Sequence, residues 1–308
     1  MLRLPAPAIC TVALLAASCA HRPPPTLRRT PLFMVDREGA SVALVKAALA
    51  GRETYLILDT GAEQSILPYG FVTATGLRPR KYGDLYMDAN GYQTLLQVVP
   101  DIPIRFEGEG DPGAMDFLFG ASLPAGVGIF APQGLIAPGF ALTMDFVKEE
   151  VRYDPEEVAL ARLREAGAPV QEVAFRRCRN EGLAGNAHRV VEITVNGVPT
   201  SALVDTGSGR TSLHSDNPAI DSLKGRKGEK REIFGVTAVP GQSLVVDAIP
   251  VTFAGTTLSL RTVLLPSASG AAYTNAISCG KGMLGMDFLR HCRLVWGSSS
   301  LWASCRPA

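Results

Sequence analysis

The stretch Leu56-Ile57-Leu58-Asp59-Thr60-Gly61-Ala62 returns 146 residues later as Ala202-Leu203-Val204-Asp205-Thr206-Gly207-Ser208. Each copy is an apolar run that ends in an acid, a hydroxyl and a glycine. The likeness reaches upstream, where Val45 to Gly51 aligns at the same offset with Val191 to Gly197. Each copy therefore reads as a strand, a glycine turn and a second strand that runs into Asp-Thr-Gly. Downstream, Ser65-Ile66-Leu67 aligns with Thr211-Ser212-Leu213, and Gly134-Leu135-Ile136 aligns with Gly282-Met283-Leu284 at an offset of 148. Small loop insertions give such a drift. Asn90-Gly91, between Leu85-Tyr86-Met87 and Tyr92-Gln93-Thr94-Leu95, is a strong hairpin signal. Pro240-Gly241, between Ile233 to Val236 and Ser243 to Val246, takes the matching place at an offset of 150.

Between the copies, Asp154-Pro155-Glu156-Glu157 opens an apolar-periodic stretch closed by Gly167, with an acid as N-cap and a proline at the first helical position. The expected organisation is a leader over 1–19, a tether over 20–31, an N-terminal lobe over 32–153, a helical linker over 154–170 and a C-terminal lobe over 171–308. The fold class is all-β: two barrel lobes related by a pseudo-twofold axis. With 46% hydrophobic residues the chain has enough apolar side chains for sizeable cores, and 30 basic against 29 acidic residues excludes the basic excess of a nucleic-acid binder.

The leader has an early Arg3 and an apolar run from Ala8 to Ser18, too short to span a bilayer, so it reads as an export signal. Leu15-Ala16-Ala17-Ser18-Cys19 resembles a bacterial lipobox, which implies lipidation at Cys19; an ordinary cleavage site around Ser18-Cys19-Ala20 stays open. The proline-rich run from His21 to Arg29 suits a stiff tether. The expected location is the cell envelope, lipid-anchored and facing the periplasm, or a secreted form.

Export also explains the remaining cysteines, Cys178, Cys279, Cys292 and Cys305. A turn that sets Gly297 against Ser300 brings Cys292 opposite Cys305 in register. That bond is expected, and Cys178–Cys279 follows by elimination. Neither C-x-x-C nor H-x-x-H spacing occurs, so no metal site is expected.

A carboxylate at the end of a buried strand costs several kcal/mol unless partnered. One Asp-x-Gly alone is an ordinary turn; two at matched places in a repeat are not. Twofold packing of the copies would bring Asp59 and Asp205 together, and two carboxylates about 3 Å apart share a single proton. One is then base and the other acid, which equips the pair to activate water against a carbonyl with no metal or covalent intermediate. Gly61 and Gly207 permit close approach of the backbones, and Thr60 and Thr206 offer hydroxyls to tie them together.

These residues resemble the aspartic proteases of the retropepsin and pepsin type. Leu58 to Ala62 looks like the retropepsin form of the motif and Val204 to Ser208 like the pepsin form. Leu135-Ile136 and Met283-Leu284 resemble the apolar pair that crosses behind each catalytic loop. The resemblance implies a monomeric, single-chain endopeptidase without cofactor, acting on peptides or proteins in extended conformation. It makes Asp59 and Asp205 the catalytic dyad, supported by Thr60, Gly61, Ala62, Thr206, Gly207 and Ser208. It also makes the Asn90-Gly91 hairpin a flap with Tyr86 or Tyr92 in its wall, and the Pro240-Gly241 hairpin a second flap. A serine at Ser208 could hydrogen-bond the outer oxygen of its aspartate; Ala62 cannot, so Asp59 is expected to be the less acidic partner, with activity at mildly acidic to neutral pH.

Two alternatives stay open: a catalytically silent peptide-binding lipoprotein, and a glycosidase with carboxylates about 5 Å apart. Gly280 to Gly285 and Gly108 to Gly113 match G-x-G-x-x-G but close no βαβ unit, so they read as turns. Asp145 and Asp287, in the repeated Met-Asp-Phe triplets, are expected to be structural, and no nucleophile elbow surrounds Ser208 or Ser212.

Overall fold

The computed structural model describes residues 27–307 apart from 38–39, 81–82, 88–92, 122, 124–126, 179–187, 235–239, 262 and 267–279. Cys19, Asn90, Gly91, Tyr92 and Cys279 lie outside the described residues. The chain is mostly β, at 55% strand, about twice the usual share of a globular protein.

The N-terminal half contains β1 (Thr30–Arg37), β2 (Ala40–Leu49), β3 (Arg52–Leu58), β4 (Ile66–Pro68), helix α1 (Tyr69–Thr75), β5 (Gly83–Met87), β6 (Gln93–Phe106), β7 (Gly113–Ala121), β8 (Val127–Phe130), β9 (Phe140–Asp145) and β10 (Glu150–Pro155). Strand β2 shows why: Ser41, Ala43, Val45, Ala47 and Leu49 point inward at period two. Strands β2, β3, β8, β4, β7 and β6 follow one another by pairing, and β6 returns to β2 through Ala47↔Phe106, so six strands close a barrel. Leu49, Leu56, Leu58, Phe117 and Phe130 fill it.

After helix α2 (Glu156–Glu165) come β11 (Gln171–Glu172), β12 (Phe175–Cys178), β13 (His188–Val195), β14 (Val198–Val204), β15 (Ser212–Leu213), β16 (Gly228–Phe234), β17 (Pro240–Val246), β18 (Ile249–Phe253), β19 (Thr256–Leu260), β20 (Val263–Pro266), β21 (Gly282–Leu284), helix α3 (Met286–Leu289), β22 (Cys292–Gly297) and β23 (Leu301–Cys305). Here the sheet curls into a half-barrel. The expectation of two barrels is corrected on this point, and the reason lies in the connections. The fourteen-residue β6 passes from β5 to β2 in one piece. In the second half that path runs as two strands, β17 and β18, which pair with β20 and β13 respectively.

The two halves are joined by backbone. Strands β22 and β23 continue the first half's sheet through β22–β9 pairing, with Trp296↔Leu142 and Arg293↔Asp145 in register. The Arg293 and Asp145 side chains form a buried ion pair at 2.9 Å. At the outer edge Cys292 faces Cys305 and the two are disulfide-bonded, with Gly297 N–H donating to Ser300 O, as the register argument expects. Cys178 is also disulfide-bonded.

Three smaller expectations shift. Leu27 is buried and Arg29 pairs with Glu109, so the fold begins inside the stretch read as tether. Asp154 belongs to β10, where it takes Arg162, and Pro155 stands at the N-cap of α2 rather than inside the helix. Pro240 and Gly241 are strand residues paired with Phe234 and Ile233 and are not the turn of that hairpin. The registers Met87↔Gln93 and Phe234↔Pro240 place the two hairpins at an offset of 147.

Candidate active site

Each aspartate stands where a strand leaves its sheet. Strand β3 lies parallel to β8 and Asp59 N–H donates to Phe130 O at 2.9 Å; β14 lies parallel to β21 and Asp205 N–H donates to Leu284 O at 3.1 Å. The chain then turns sharply around the carboxylate. Asp59 Oδ1 accepts from the N–H groups of Gly61 and Ala62 at 2.8 and 2.9 Å; Asp205 Oδ1 accepts from Gly207 and Ser208 at 2.9 and 3.1 Å. These are Asx-type turns, with the side chain doing the work of a backbone acceptor.

The threonines lock the two turns together. Thr206 Oγ1 accepts from Thr60 N–H at 3.0 Å and donates to Leu58 O at 2.6 Å; Thr60 Oγ1 accepts from Thr206 N–H at 3.2 Å and donates to Val204 O at 2.8 Å. Both side chains are buried, so every one of these groups depends on the others. Thr206→Val removes a hydroxyl of nearly the same shape and strands a buried N–H and a buried carbonyl. The expected loss is about 2–5 kcal/mol in urea unfolding, largely recovered by Thr206→Ser. A loss within 0.5 kcal/mol would show that the lock contributes little.

That lock delivers Asp59 and Asp205 to each other, and their carboxyl groups share a hydrogen bond. A β-carbon at Gly61 would fall on the Asp205 carboxyl, and one at Gly207 on that of Asp59, so both glycines are required for the approach. No protein family and no curated protein matches this chain by sequence. The chemistry is therefore read from the geometry.

Burial raises both carboxyls above their ordinary range, and the Asp205 charge raises Asp59 further. The serine at 208 does not supply the expected difference between the two: its hydroxyl donates to Arg210 O at 2.8 Å and so is not given to Asp205.

The strand behind the first Asp-Thr-Gly loop differs from the one expected. It is Gly128-Ile129-Phe130, paired as Ile57↔Ile129 and Leu58↔Phe130, where the second half has Leu203↔Met283 and Val204↔Leu284. Gly134 and Leu135 lie in a 3₁₀ turn beyond it, followed by Ile136. At the resulting offset of 154, Ala131 matches Gly285, and their N–H groups donate to Ser65 Oγ at 3.0 Å and Thr211 Oγ1 at 3.2 Å. Gln133 then matches Asp287. Gln133 Nε2 donates to Thr60 O and Ala62 O at 2.7 and 3.1 Å, whereas Asp287 Oδ1 accepts from Thr211 N–H and Oγ1 at 2.8 and 2.7 Å. Each braces the loop of its own half, and the role of Gln133 had no signal at the 148 offset.

Asp287 is structural as expected, while Asp145 lies on β9 in the ion pair with Arg293, so the Met-Asp-Phe triplets are not counterparts. Trp296 and Trp302 stand on the terminal hairpin. Tyr86 stands on β5 opposite Thr94. One more contact was missed: Glu63 Oε1 lies 3.1 Å from His188 Nε2, a buried pair that joins the two halves.

Proposed function

We propose that the chain is an aspartic endopeptidase of the retropepsin and pepsin type, built as two homologous lobes about a pseudo-twofold axis. The observation that carries this reading is the reciprocal Thr60–Thr206 lock that holds Asp59 and Asp205 in one hydrogen-bonded pair. Ionised Asp205 takes a proton from water as the water oxygen attacks the scissile carbonyl carbon. Neutral Asp59 gives its proton to the carbonyl oxygen, and the tetrahedral diol is formed with the dyad's proton moved from Asp59 to Asp205. Collapse of the diol breaks the C–N bond: Asp205 protonates the leaving amine, Asp59 takes back a hydroxyl proton, and the starting state returns. The substrate is a peptide or protein in extended conformation, covered by the hairpins β5–β6 and β16–β17. The protein acts as an exported, lipid-anchored monomer.

The test is cleavage of a mixed peptide library, followed by mass spectrometry from pH 2 to 9. Activity requires one carboxyl of the pair ionised and the other protonated. The acid and alkaline limbs belong to the coupled pair, and burial raises both carboxyls. The optimum is therefore expected above the ordinary carboxyl range of about 4, at mildly acidic to neutral pH. An optimum near pH 2 would contradict the assignment, and absence of cleavage at every pH would refute the proposal.

A further inference from the structure

Helix α3 touches both halves. At its start Met286 N–H donates at 2.8 Å to the carbonyl of Ser208, three residues past Asp205, and Asp287 holds Thr211. At its end Arg290, the C-cap, reaches across to the first half. Its guanidinium meets the Asp36 carboxylate as a fork, with Nη1 donating to Oδ1 at 2.5 Å and Nη2 to Oδ2 at 3.2 Å. Nη1 also donates to Ser41 Oγ at 2.7 Å, and Ser41 Oγ donates to Asp36 Oδ1 at 2.5 Å. Asp36 lies on β1 and Ser41 on β2, so one guanidinium clasps both strands.

The clasp stands where the halves touch beside the second Asp-Thr-Gly loop. Ser41 N–H donates to Gly209 O at 3.2 Å. A β-carbon on Gly209 would lie 2.9 Å from that of Ala40, so backbone meets backbone there. The matching contact is made by side chains: 146 residues before Gly209 stands Glu63, whose Oε1 lies 3.1 Å from His188 Nε2 of the other half. Gly209 has no side chain to offer. At the offset of 154 that matches Ala131 with Gly285, the place of Arg290 is taken by Ile136, the C-cap of the first half's 3₁₀ turn. The charged clasp therefore belongs to one contact alone.

We infer that Arg290 is a positioning residue: by clasping Asp36 and Ser41 it holds the start of β2 on Gly209, and so keeps the Asp205 loop seated against the half that carries Asp59. Its side chain and that of Asp36 are 36% and 54% exposed, and ion pairs of that kind add little to stability. What the fork supplies is direction, because it closes on the buried Ser41, whose own N–H makes the bond to Gly209. The inference rests on the peptidase reading for its effect on rate, where a small displacement of a reacting group costs up to about 100-fold. Its test does not need turnover.

The test follows the carboxyl carbons of ¹³C-aspartate-labelled protein by NMR across pH 2–9, with signals assigned through Asp59→Asn and Asp205→Asn. Two carboxyls in contact ionise in two steps, and the steps draw together as the groups move apart. Arg290→Gln should narrow their separation by about one pH unit, while the melting temperature falls by no more than about 3 °C. Arg290→Lys keeps the charge without the fork and should recover part of the separation. Gly209→Ala, which drives a β-carbon toward Ala40, should narrow it as well. If Arg290→Gln fails to fold, Asp36→Asn removes the same ion pair from the other side and carries the same expectation. On a cleaved peptide Arg290→Gln should lower kcat about tenfold and leave KM nearly unchanged. A separation left unmoved by Arg290→Gln, or by Asp36→Asn where that variant stands in for it, overturns the inference even if the protein melts lower. A protein that cleaves no peptide yet shows the narrowed separation refutes the peptidase reading and supports this one.

Discussion

Asp59→Asn and Asp205→Asn are each expected to lower peptide hydrolysis by at least about 10³-fold, while raising the melting temperature at pH 7. The two effects have one cause. General acid–base catalysis by this pair needs a proton that can leave Asp59 and a charge that can receive one on Asp205; an amide supplies neither. The same pair is costly to the fold, because burial raises both carboxyls and the Asp205 charge raises the cost of ionising Asp59. An asparagine keeps an oxygen to accept from Gly61 and Ala62, or from Gly207 and Ser208, and presents an N–H to the remaining carboxylate. Initial rates on a cleaved peptide and thermal melts of the same samples measure both. Undiminished turnover in either variant would remove that aspartate from the mechanism. A falling melting temperature would show that the pair stabilises the fold.

Asp287 gives the second large effect, and it concerns stability alone. Burial pushes its carboxyl up to about 7, against the pull of the Thr211 hydrogen bonds. The folded state then binds this proton more tightly than the unfolded chain does. Stability from this group is present below the unfolded value near 4 and is lost as pH rises through about 7. The whole window amounts to about 4 kcal/mol. Asp287→Asn keeps the oxygen that Thr211 uses and cannot ionise, and Gln133 shows a neutral side chain holding the matching place in the other half. Urea unfolding at pH 4.5, 6 and 8 should find the variant gaining on the unaltered protein by a few kcal/mol between the lowest and highest pH. A difference that does not change with pH would mean that Asp287 stays neutral or is compensated in its ionised form.

Some features were legible because they are local or periodic. The alternation in Ala40–Leu49, the paired Asp-Thr-Gly triplets and the Cys292–Cys305 register are carried by residues close in the chain or symmetric about a turn. The strand behind the first Asp-Thr-Gly loop was misplaced because Gly128-Ile129-Phe130 and Gly134-Leu135-Ile136 are equally apolar and both begin with glycine. Only pairing to β3 separates them. The Pro240-Gly241 turn failed for a related reason: proline is accepted in a strand where its missing N–H is not needed, so the dipeptide marked a strand start instead of a turn.

From the sequence alone came the duplication, the two aspartates with the glycines and threonines that serve them, and the terminal disulfide. These follow from residue identity and spacing. The tertiary structure alone decided how the two copies differ. One half closes a barrel and the other curls into a half-barrel: β6 is one continuous strand, and its counterpart runs as two, β17 and β18. Contacts between the copies differ too: the Ser208 hydroxyl is turned to Arg210, and Glu63 and His188, 125 residues apart in the chain, meet as a buried pair. A repeat fixes what two copies share; the differences arise where one copy packs against the other.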